Sequence, residues 1–352
     1  MSSLAIASCY DKKATNKVNF DNCEAQAKQG EATAQVTLGS MYYSGEGTTK
    51  NYKEALKWYK KSAEQGDVDA QYILGFIHGI GQGTTQNYKE ALKWYKKSAE
   101  QGDVDAQNSL GSMYKSGQGS TQNYKEALKW YKKSAEQGNV DAQNSLGSMY
   151  KSGQGTTQNY KEALKWYKKS AEQGHAIAQY EFGVMYYSGE GTTQNYKEAL
   201  KWYKKSAEQG TSHAQFILGA MYKSGQGTTQ NYKEALKWYK KSAEQGHAIA
   251  QYEFGVMYYS GEGTTQNYKE ALKWYKKSAE QGTSHAQNNL GVMYYLGQGT
   301  TQNHVLAHMY SNISAANGNE SSIKMRNLLT KEMTSSQLEK AQRLASEWVN
   351  SH

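Results

Sequence analysis

Apolar residues recur along this chain at steps of three and four, in paired stretches separated by glycine-rich breaks. Residues 67–102 serve as the type unit. The first stretch runs from about Asp67 to Gly79, and the second opens at Asn87 and closes at Gly102. In the second, Tyr88, Ala91, Leu92, Tyr95 and Ala99 fall on one helical face, while Lys89, Lys93, Lys96 and Glu100 fall elsewhere, toward solvent. Trp94 lies to one side of the stripe, placed to wedge against a neighbouring unit. Asn87 and Glu90 have the spacing of a capping box, in which each side chain reaches the other residue's exposed backbone N–H. Gly102 sits where a left-handed residue ends a helix. The pattern therefore predicts two helices joined by a tight reversal through Gly81-Gln82-Gly83-Thr84-Thr85.

The same unit returns with a fixed period. Gly30, Gly66, Gly102, Gly138, Gly174, Gly210, Gly246, Gly282 and Gly318 are each 36 residues apart, giving eight units over 31–318. Residues 175–210 and 247–282 are identical, as expected of a recently duplicated block. One hairpin cannot bury both its faces, but stacked hairpins can, so an all-α superhelical array with short-range contacts is expected. Asn16 to Gly30 reads as a half-repeat, which makes 1–30 an N-terminal segment with a cap and leaves 319–352 for C-terminal capping helices.

Composition supports a thin core over a large globular one. Only 37% of residues are hydrophobic, yet there are 30 Tyr, 34 Gly and no Pro. The formal charge of +9 has a local origin. The segment NYKEALKWYKKSAEQG, first seen at Asn51–Gly66, occurs seven times unchanged and carries +14 in all, leaving −5 for the remainder. The basicity is thus spread along the array, not gathered into an arm.

Cys9 and Cys23 lie outside the repeats, so no disulfide or zinc framework is expected to hold the repeats together. Ile6-Ala7-Ser8-Cys9 resembles the lipobox of bacterial lipoproteins, which would make Cys9 a lipidation site. A full signal needs a longer apolar stretch than Met1 to Ala5 supplies, so either the start site is misplaced or the match is chance. A periplasmic or lipoprotein location follows from the first reading and a cytoplasmic one from the second. No apolar run approaches the ~18 residues of a membrane helix.

Ala70, Leu74, Gly75, Gly81, Gly83, Ala91, Trp94-Tyr95, Ala99 and Gly102 resemble the Sel-1-like repeat, a relative of the tetratricopeptide repeat. The match recurs eight times. Ala307 to Gly318 is similar to the degenerate last repeat of bacterial members, with Tyr310 in the tryptophan position, and Met333 to Trp348 to their closing helix. Many members follow Gly-x-Gly with Val or Ile and Pro, where this chain has Thr-Thr or Ser-Thr. The resemblance implies a right-handed α/α superhelical solenoid acting as an adaptor for protein complexes. In bacteria such proteins are often exported, and they include host-interaction factors and immunity proteins beside secreted lipase toxins.

Comparing the repeats with one another locates a candidate site. Between Asn51 and Gly282 the second helix does not vary, and nearly all variation lies in the first. Ala70, Gln71, Leu74, Gly75 and His78 (Tyr in the other units) are fixed or nearly so and form the expected buried side, with Gly75 allowing two backbones to approach. The variable positions Asp69, Tyr72, Ile73, Phe76, Gly79 and Ile80 share another face. First helices line the concave surface of hairpin solenoids, so this face is the expected groove for a protein partner. Along the array it comprises Tyr72, Phe76, Asn108, Lys115, Asn144, Lys151, Tyr180, Tyr187, Phe216, Lys223, Tyr252, Tyr259, Asn288 and Tyr295. Tyrosine suits an interface because it offers large area with few rotors; drift on a solvated face is the plainer alternative. If the groove reading holds, replacing Tyr187 and Tyr259 should weaken binding while leaving the melting temperature nearly unchanged.

No enzyme chemistry emerges. Ser321-x-x-Lys324 fits a β-lactamase-type pattern but lacks its Lys-Thr-Gly and Ser-Asp-Asn companions. His304 and His308 have metal-ligand spacing without acidic or thiol partners and read as a surface pair; His78, His175, His213, His247 and His285 read as scattered. Gly-x-Gly-Thr-Thr lacks the strand and lysine of a phosphate loop. No cofactor, metal or small-molecule substrate is expected. Nucleic acid remains an alternative through the repeated lysines, but the lysines sit on the invariant helix and the variable residues on the other, which is no base-reading code.

Overall fold

The computed structural model describes residues 8–351, and among these all regular structure is helical. Hairpins recur every 36 residues, forming an α/α solenoid. The chain divides into two compact units, one ending at His175 and the other beginning at Ala176. In the first, α1 (Asn16–Lys28) precedes four first helices, α2 (Ala32–Ser44), α4 (Val68–Ile80), α6 (Val104–Ser116) and α8 (Val140–Ser152). Their second helices are α3 (Tyr52–Glu64), α5 (Tyr88–Glu100), α7 (Tyr124–Glu136) and α9 (Tyr160–Glu172). In the second unit the first helices are α10 (Ala176–Ser188), α12 (Ser212–Ser224), α14 (Ala248–Ser260) and α16 (Ser284–Leu296). They pair with α11 (Tyr196–Glu208), α13 (Tyr232–Glu244), α15 (Tyr268–Glu280) and α17 (His304–Ala316), and α18 (Glu320–Glu332) and α19 (Ser335–Ser351) pack on α17.

Half of the expected capping box forms. The Asn87 side chain accepts from Lys89 N and Glu90 N, both at 3.1 Å. Glu90 does not reach back. The Asn87 N–H donates instead to the His78 carbonyl at 2.8 Å, which closes the hairpin, and Glu90 pairs with Lys93 at 3.2 Å. A helix cap of this kind contributes about 1 kcal/mol. Gly102 has φ +102°, and the Asp103 N–H returns to the Ser98 carbonyl at 3.2 Å, satisfying an end-of-helix acceptor.

Tertiary packing repeats as faithfully as local structure. Ala91, Trp94, Tyr95 and Ala99 are buried, and Trp94 packs in one cluster with Tyr59 and Leu74, wedged against the preceding hairpin. Lys97 stands 4.6 Å from the centre of the Trp94 ring, so its aliphatic stem and ammonium cover the indole. Gly75 serves a different purpose from the one expected. A Cβ there would meet the Tyr95 ring at 2.6 Å, so the glycine admits an aromatic ring, not a second backbone. Gly83 is confined too: its Cβ would lie 2.6 Å from the Tyr52 Cβ, which seats the loop on the second helix one repeat upstream.

A polar ladder runs through this apolar layer. Gln71, 4% exposed, donates to the Ala63 carbonyl at 3.1 Å and accepts from Gln101 at 2.9 Å. It ties three helices together. The fully buried Ser98 hydroxyl donates to the Val68 carbonyl at 3.1 Å. Buried polar groups without partners cost about 1–3 kcal/mol each, and these have partners. Exposed Lys–Glu pairs such as Lys96–Glu100 at 3.9 Å add only a few tenths of a kcal/mol each.

Cys9 and Cys23 form a disulfide across 14 residues, tying the segment before α1 to α1 itself. Both sulfurs are buried, Cys23 completely. A sulfur held in a disulfide has no thiol to carry a thioether, so this pairing overturns the expected lipidation of Cys9. The preceding Ile6-Ala7 of the lipobox pattern lies outside the described residues. No helix among the described residues is long and apolar enough to cross a membrane.

Candidate functional site

Helical geometry sorts each first helix into two faces. In α4, Ala70, Gln71, Leu74, Gly75 and Ile77 turn toward the second helices, and Ile77, absent from the expected buried set, completes it. Phe76 and Ile80 point away and remain 43% and 49% exposed. Tyr72 and Ile73 lie between and are half-buried.

In the first unit this face is aromatic only in part. Tyr72 packs at 5.6 Å from Tyr95, and burial raises both phenol pKa values. Beyond it, Asn108, Ser109 and Ser112 of α6 join Gly79, Ile80 and Tyr88 around a cavity of about 640 Å³. Small side chains on α6 leave that space open. Lys115 and Lys151 are half-buried, and their backbone carbonyls accept from Gln122 and Gln158 at 2.8 Å. Asn144 has a buried Oδ1 without a hydrogen bond.

In the second unit the same positions carry rings that touch. Tyr180 packs at 5.7 Å from Tyr203 and meets His213 edge-on at 6.3 Å. His213 meets His247 edge-on at 4.9 Å, and Phe216 stacks on His247 at 4.9 Å. Tyr252 lies between Tyr275 at 5.8 Å and His285 at 5.9 Å. His213, His247 and His285 are therefore not scattered: they are interleaved with the aromatic candidates. Residues 31 to 34 apart in a 36-residue period become neighbours between adjacent repeats, a spacing visible in the sequence once the period is known. Burial, reinforced by His213, lowers the His247 pKa and favours its neutral ring.

Several candidates are structural ties as well as surface. The Tyr187 hydroxyl donates to Gln226 at 2.9 Å and the Tyr259 hydroxyl to Gln298 at 2.9 Å, each reaching the glycine loop of the following repeat. Their rings meet Tyr196 and Tyr268 edge-on at 5.2 Å. Tyr43, missed in the sequence, makes the same bond to Gln82 in the first unit. Lys223 bridges to Glu253 at 2.9 Å between α12 and α14. Asn288 accepts from Ser322 at 2.7 Å, and Tyr295 lies 5.4 Å from His304. Removing Tyr187 or Tyr259 would therefore break inter-repeat contacts, so a lowered melting temperature replaces the expectation of an unchanged one.

The pair His304 and His308 is not on the surface. His308 is 3% exposed, 3.3 Å from Thr330, and the Nε2 of His304 is buried without a hydrogen bond. Burial and Arg326 lower the His308 pKa. Ser321 and Lys324 are both exposed on α18. Among the described residues no cluster of three or more His, Cys, Asp or Glu is arranged to hold a metal ion.

The family model described as "Sel1 repeat" matches eight consecutive segments, 32–67, 68–103, 104–139, 140–175, 176–211, 212–247, 248–283 and 284–319. Among solved structures, the chain resembles c5321, described as a protective antigen of uropathogenic Escherichia coli strains with an SLR fold, at 36% identity and a TM-score of 0.88. That match covers 95% of this chain and 72% of the other. A Sel1 repeat protein from Oxalobacter formigenes matches at 29% identity and a TM-score of 0.69, covering 91% of this chain and 95% of that one. A secretory immunoglobulin A-binding protein, EsiB, of Escherichia coli is 37% identical over 49 residues, 14% of this chain and 10% of that protein. A putative sel1-like repeat-containing protein of Acanthamoeba polyphaga mimivirus is 49% identical over 43 residues, 12% of this chain and 7% of the other. The alignments with these two curated relatives thus span a tenth of their length or less.

Proposed function

This chain belongs to the Sel1 repeat family, whose fold generally mediates protein–protein interaction, and we propose that it is a non-catalytic scaffold holding a protein partner along its first-helix face. The carrying observation is the division of labour between the helices. The segment that forms the second helix is the same sixteen residues seven times, whereas the first keeps its buried side and varies on the side that holds Phe76 and Ile80, 43% and 49% exposed. Large rings held against their neighbours present area at little entropic cost on binding. The groove residues of this reading run from Tyr72 and Phe76 to Asn288 and Tyr295.

The finer form of the reading is an exported bacterial envelope or immunity protein. Its support is the Cys9–Cys23 disulfide, which persists in oxidising compartments and is rare in reducing ones. Against a nucleic-acid role stand the lysines themselves: on five of the seven repeated helices two are within reach of glutamates, as Lys93–Glu90 at 3.2 Å and Lys96–Glu100 at 3.9 Å, and on α11 and α15 one is.

Photo-crosslinkers at Phe76, Ile80 and Ile249, with one at Lys96 as control, test the reading in cell extract and against secretory immunoglobulin A, the ligand named for a similar protein. A single protein captured from the three face positions and resistant to salt is expected. Capture from Lys96 alone, or of polyanions lost at moderate salt, would reverse the assignment.

A further inference from the structure

The penultimate residue of the first helix is tyrosine in four repeats (Tyr43, Tyr187, Tyr259, Tyr295) and lysine in three (Lys115, Lys151, Lys223). In α4 alone it is glycine, Gly79. Glycine inside a helix lowers stability, and nothing around Gly79 demands it. Its φ is not positive, and a Cβ there would meet only Ala91, at an ordinary 3.9 Å. What the glycine does is leave space. The cavity of about 640 Å³ described above lies beside it, within the first unit, between α4, α5 and α6.

The repeats that carry tyrosine show what fits such a space. Tyr187 meets Tyr196 edge-on at 5.2 Å, lies 6.4 Å from Tyr203, and packs on a cluster of Ala199, Tyr203 and Met221. Its hydroxyl donates to Gln226. Tyr43 and Tyr259 repeat the edge-on contact, on Tyr52 and Tyr268, and the hydroxyl bond, to Gln82 and Gln298. One period away, the counterparts of these partners are Tyr88, Tyr95, Ala91, Met113 and Gln118, and all five line the cavity at Gly79. The seat is therefore complete except for the ring. Its edge is apolar as well: Ile80, 49% exposed, stands where six other repeats have serine.

We propose that this cavity receives a tyrosine side chain of the protein partner, an inference that rests on the first-helix reading above and names the residue the partner must supply. The phenol ring stands edge-on to Tyr88 against Ala91 and Met113, and its hydroxyl donates to the Gln118 side-chain carbonyl. Phenylalanine would fill the place of the ring but bring no donor for Gln118. A tyrosine sunk in a close-fitting pocket near the middle of an exposed apolar surface is the usual form of an interface anchor.

p-Cresol, the tyrosine side chain itself, is the probe, titrated into the full chain and followed by the NMR signals of the Gln118 side-chain amide and the Met113 methyl group. A saturable one-to-one site with a dissociation constant of roughly 1–10 mM is expected for a ligand of this size. Toluene, which lacks the hydroxyl, should bind roughly fivefold more weakly, and Gln118→Ala should erase that preference. Gly79→Ala and Gly79→Tyr should both fold and melt higher than the parent chain. Only Gly79→Tyr supplies the ring from within, so it alone should abolish p-cresol binding. It should also reduce capture of the partner by the crosslinker at Ile249 roughly tenfold, the scale of a lost anchor, while Gly79→Ala leaves capture unchanged. Absence of saturable binding, binding retained in Gly79→Tyr, equal affinity for toluene, or undiminished capture would each overturn the proposal. So would a dimer of the free chain that Gly79→Tyr dissociates, which would give the seat to a second copy. The p-cresol titration needs no partner: its failure with capture intact sinks this inference alone, whereas no capture from any face position sinks the first-helix reading with it.

Discussion

Helices α6 and α14 occupy equivalent places in two different units, against second helices of identical sequence, yet they present different surfaces. VDAQNSLGSMYKS and AIAQYEFGVMYYS share Ala, Gln, Gly, Met, Tyr and a final Ser at the same positions, and apart from the half-buried Tyr and the exposed Ser those shared residues are buried in both. Where they differ, α6 offers Asn108, Ser109 and Ser112 around an open cavity, and α14 offers Tyr252, Tyr259 and a stacked His247. The fold is therefore carried by about half of the first helix plus all of the second. The other half is free to differ, and in the second unit it has been filled with rings that hold neighbouring repeats together.

The comparison makes its strongest claim at the shared glycine. Gly147→Ala and Gly255→Ala each bring a Cβ within 2.8 Å of a tyrosine ring, Tyr167 or Tyr275. Both should cost about 2–3 kcal/mol in urea unfolding, the upper part of the range for overpacking. Gly291→Ala should cost less, because the obstacle there is the rotatable Ser311 hydroxyl. A large inequality between Gly147→Ala and Gly255→Ala would break the claim that the buried half is the same in both units.

Only the first unit has a covalent tie. Reducing Cys9–Cys23 should remove about 2–3 kcal/mol of stability, the scale for a loop of this length. The effect should appear as faster amide exchange in α1 and α2, with no change from α10 onward. Next in size is the contrast on the variable face. Tyr259→Ala should cost about 1–2 kcal/mol through its lost ring contact and hydrogen bond, whereas Lys115→Ala should stay within about 0.5 kcal/mol. Thermal melts of the two variants test this, and equal losses would mean the aromatic ties contribute nothing to stacking.

The smallest effect is on pH. His78, His247 and His308 all have pKa values lowered by burial. The unfolded chain then binds protons that the folded chain refuses, so stability is present above the unfolded value of about 6.5 and falls as pH drops below it. Melting temperature should decline by a few degrees between about pH 7 and pH 5, and less in His247→Asn. A rise on acidification would contradict the burial of these rings.

What the sequence revealed and what it hid divide along a physical line. Period, helix ends, the buried stripe and the wedge of Trp94 were legible because they depend on residues within one unit or on exact repetition. The cystine was not, since pairing Cys9 with Cys23 requires knowing how the segment ahead of α1 folds back. The capping box was half legible: local spacing predicts the Asn87 cap, but the hairpin's own closure claims the N–H that Glu90 would have taken. Of the candidate face, helical periodicity indicated the positions, while the contacts among them were invisible. Tyr187 reaches 39 residues ahead and His213 meets a ring 34 residues on, distances with meaning only after the hairpins are stacked.

The seating of each glycine loop on the helix one unit upstream has a consequence for heredity. Gly83 meets Tyr52, Gly119 meets Tyr88, and Gly263 meets Tyr232, always the first helical residue of the same repeated segment. Any exchange of genetic material between two copies of that segment joins surfaces already matched. The array can gain or lose whole units in a single generation without inventing a contact, so its length is as open to selection as any side chain on its surface.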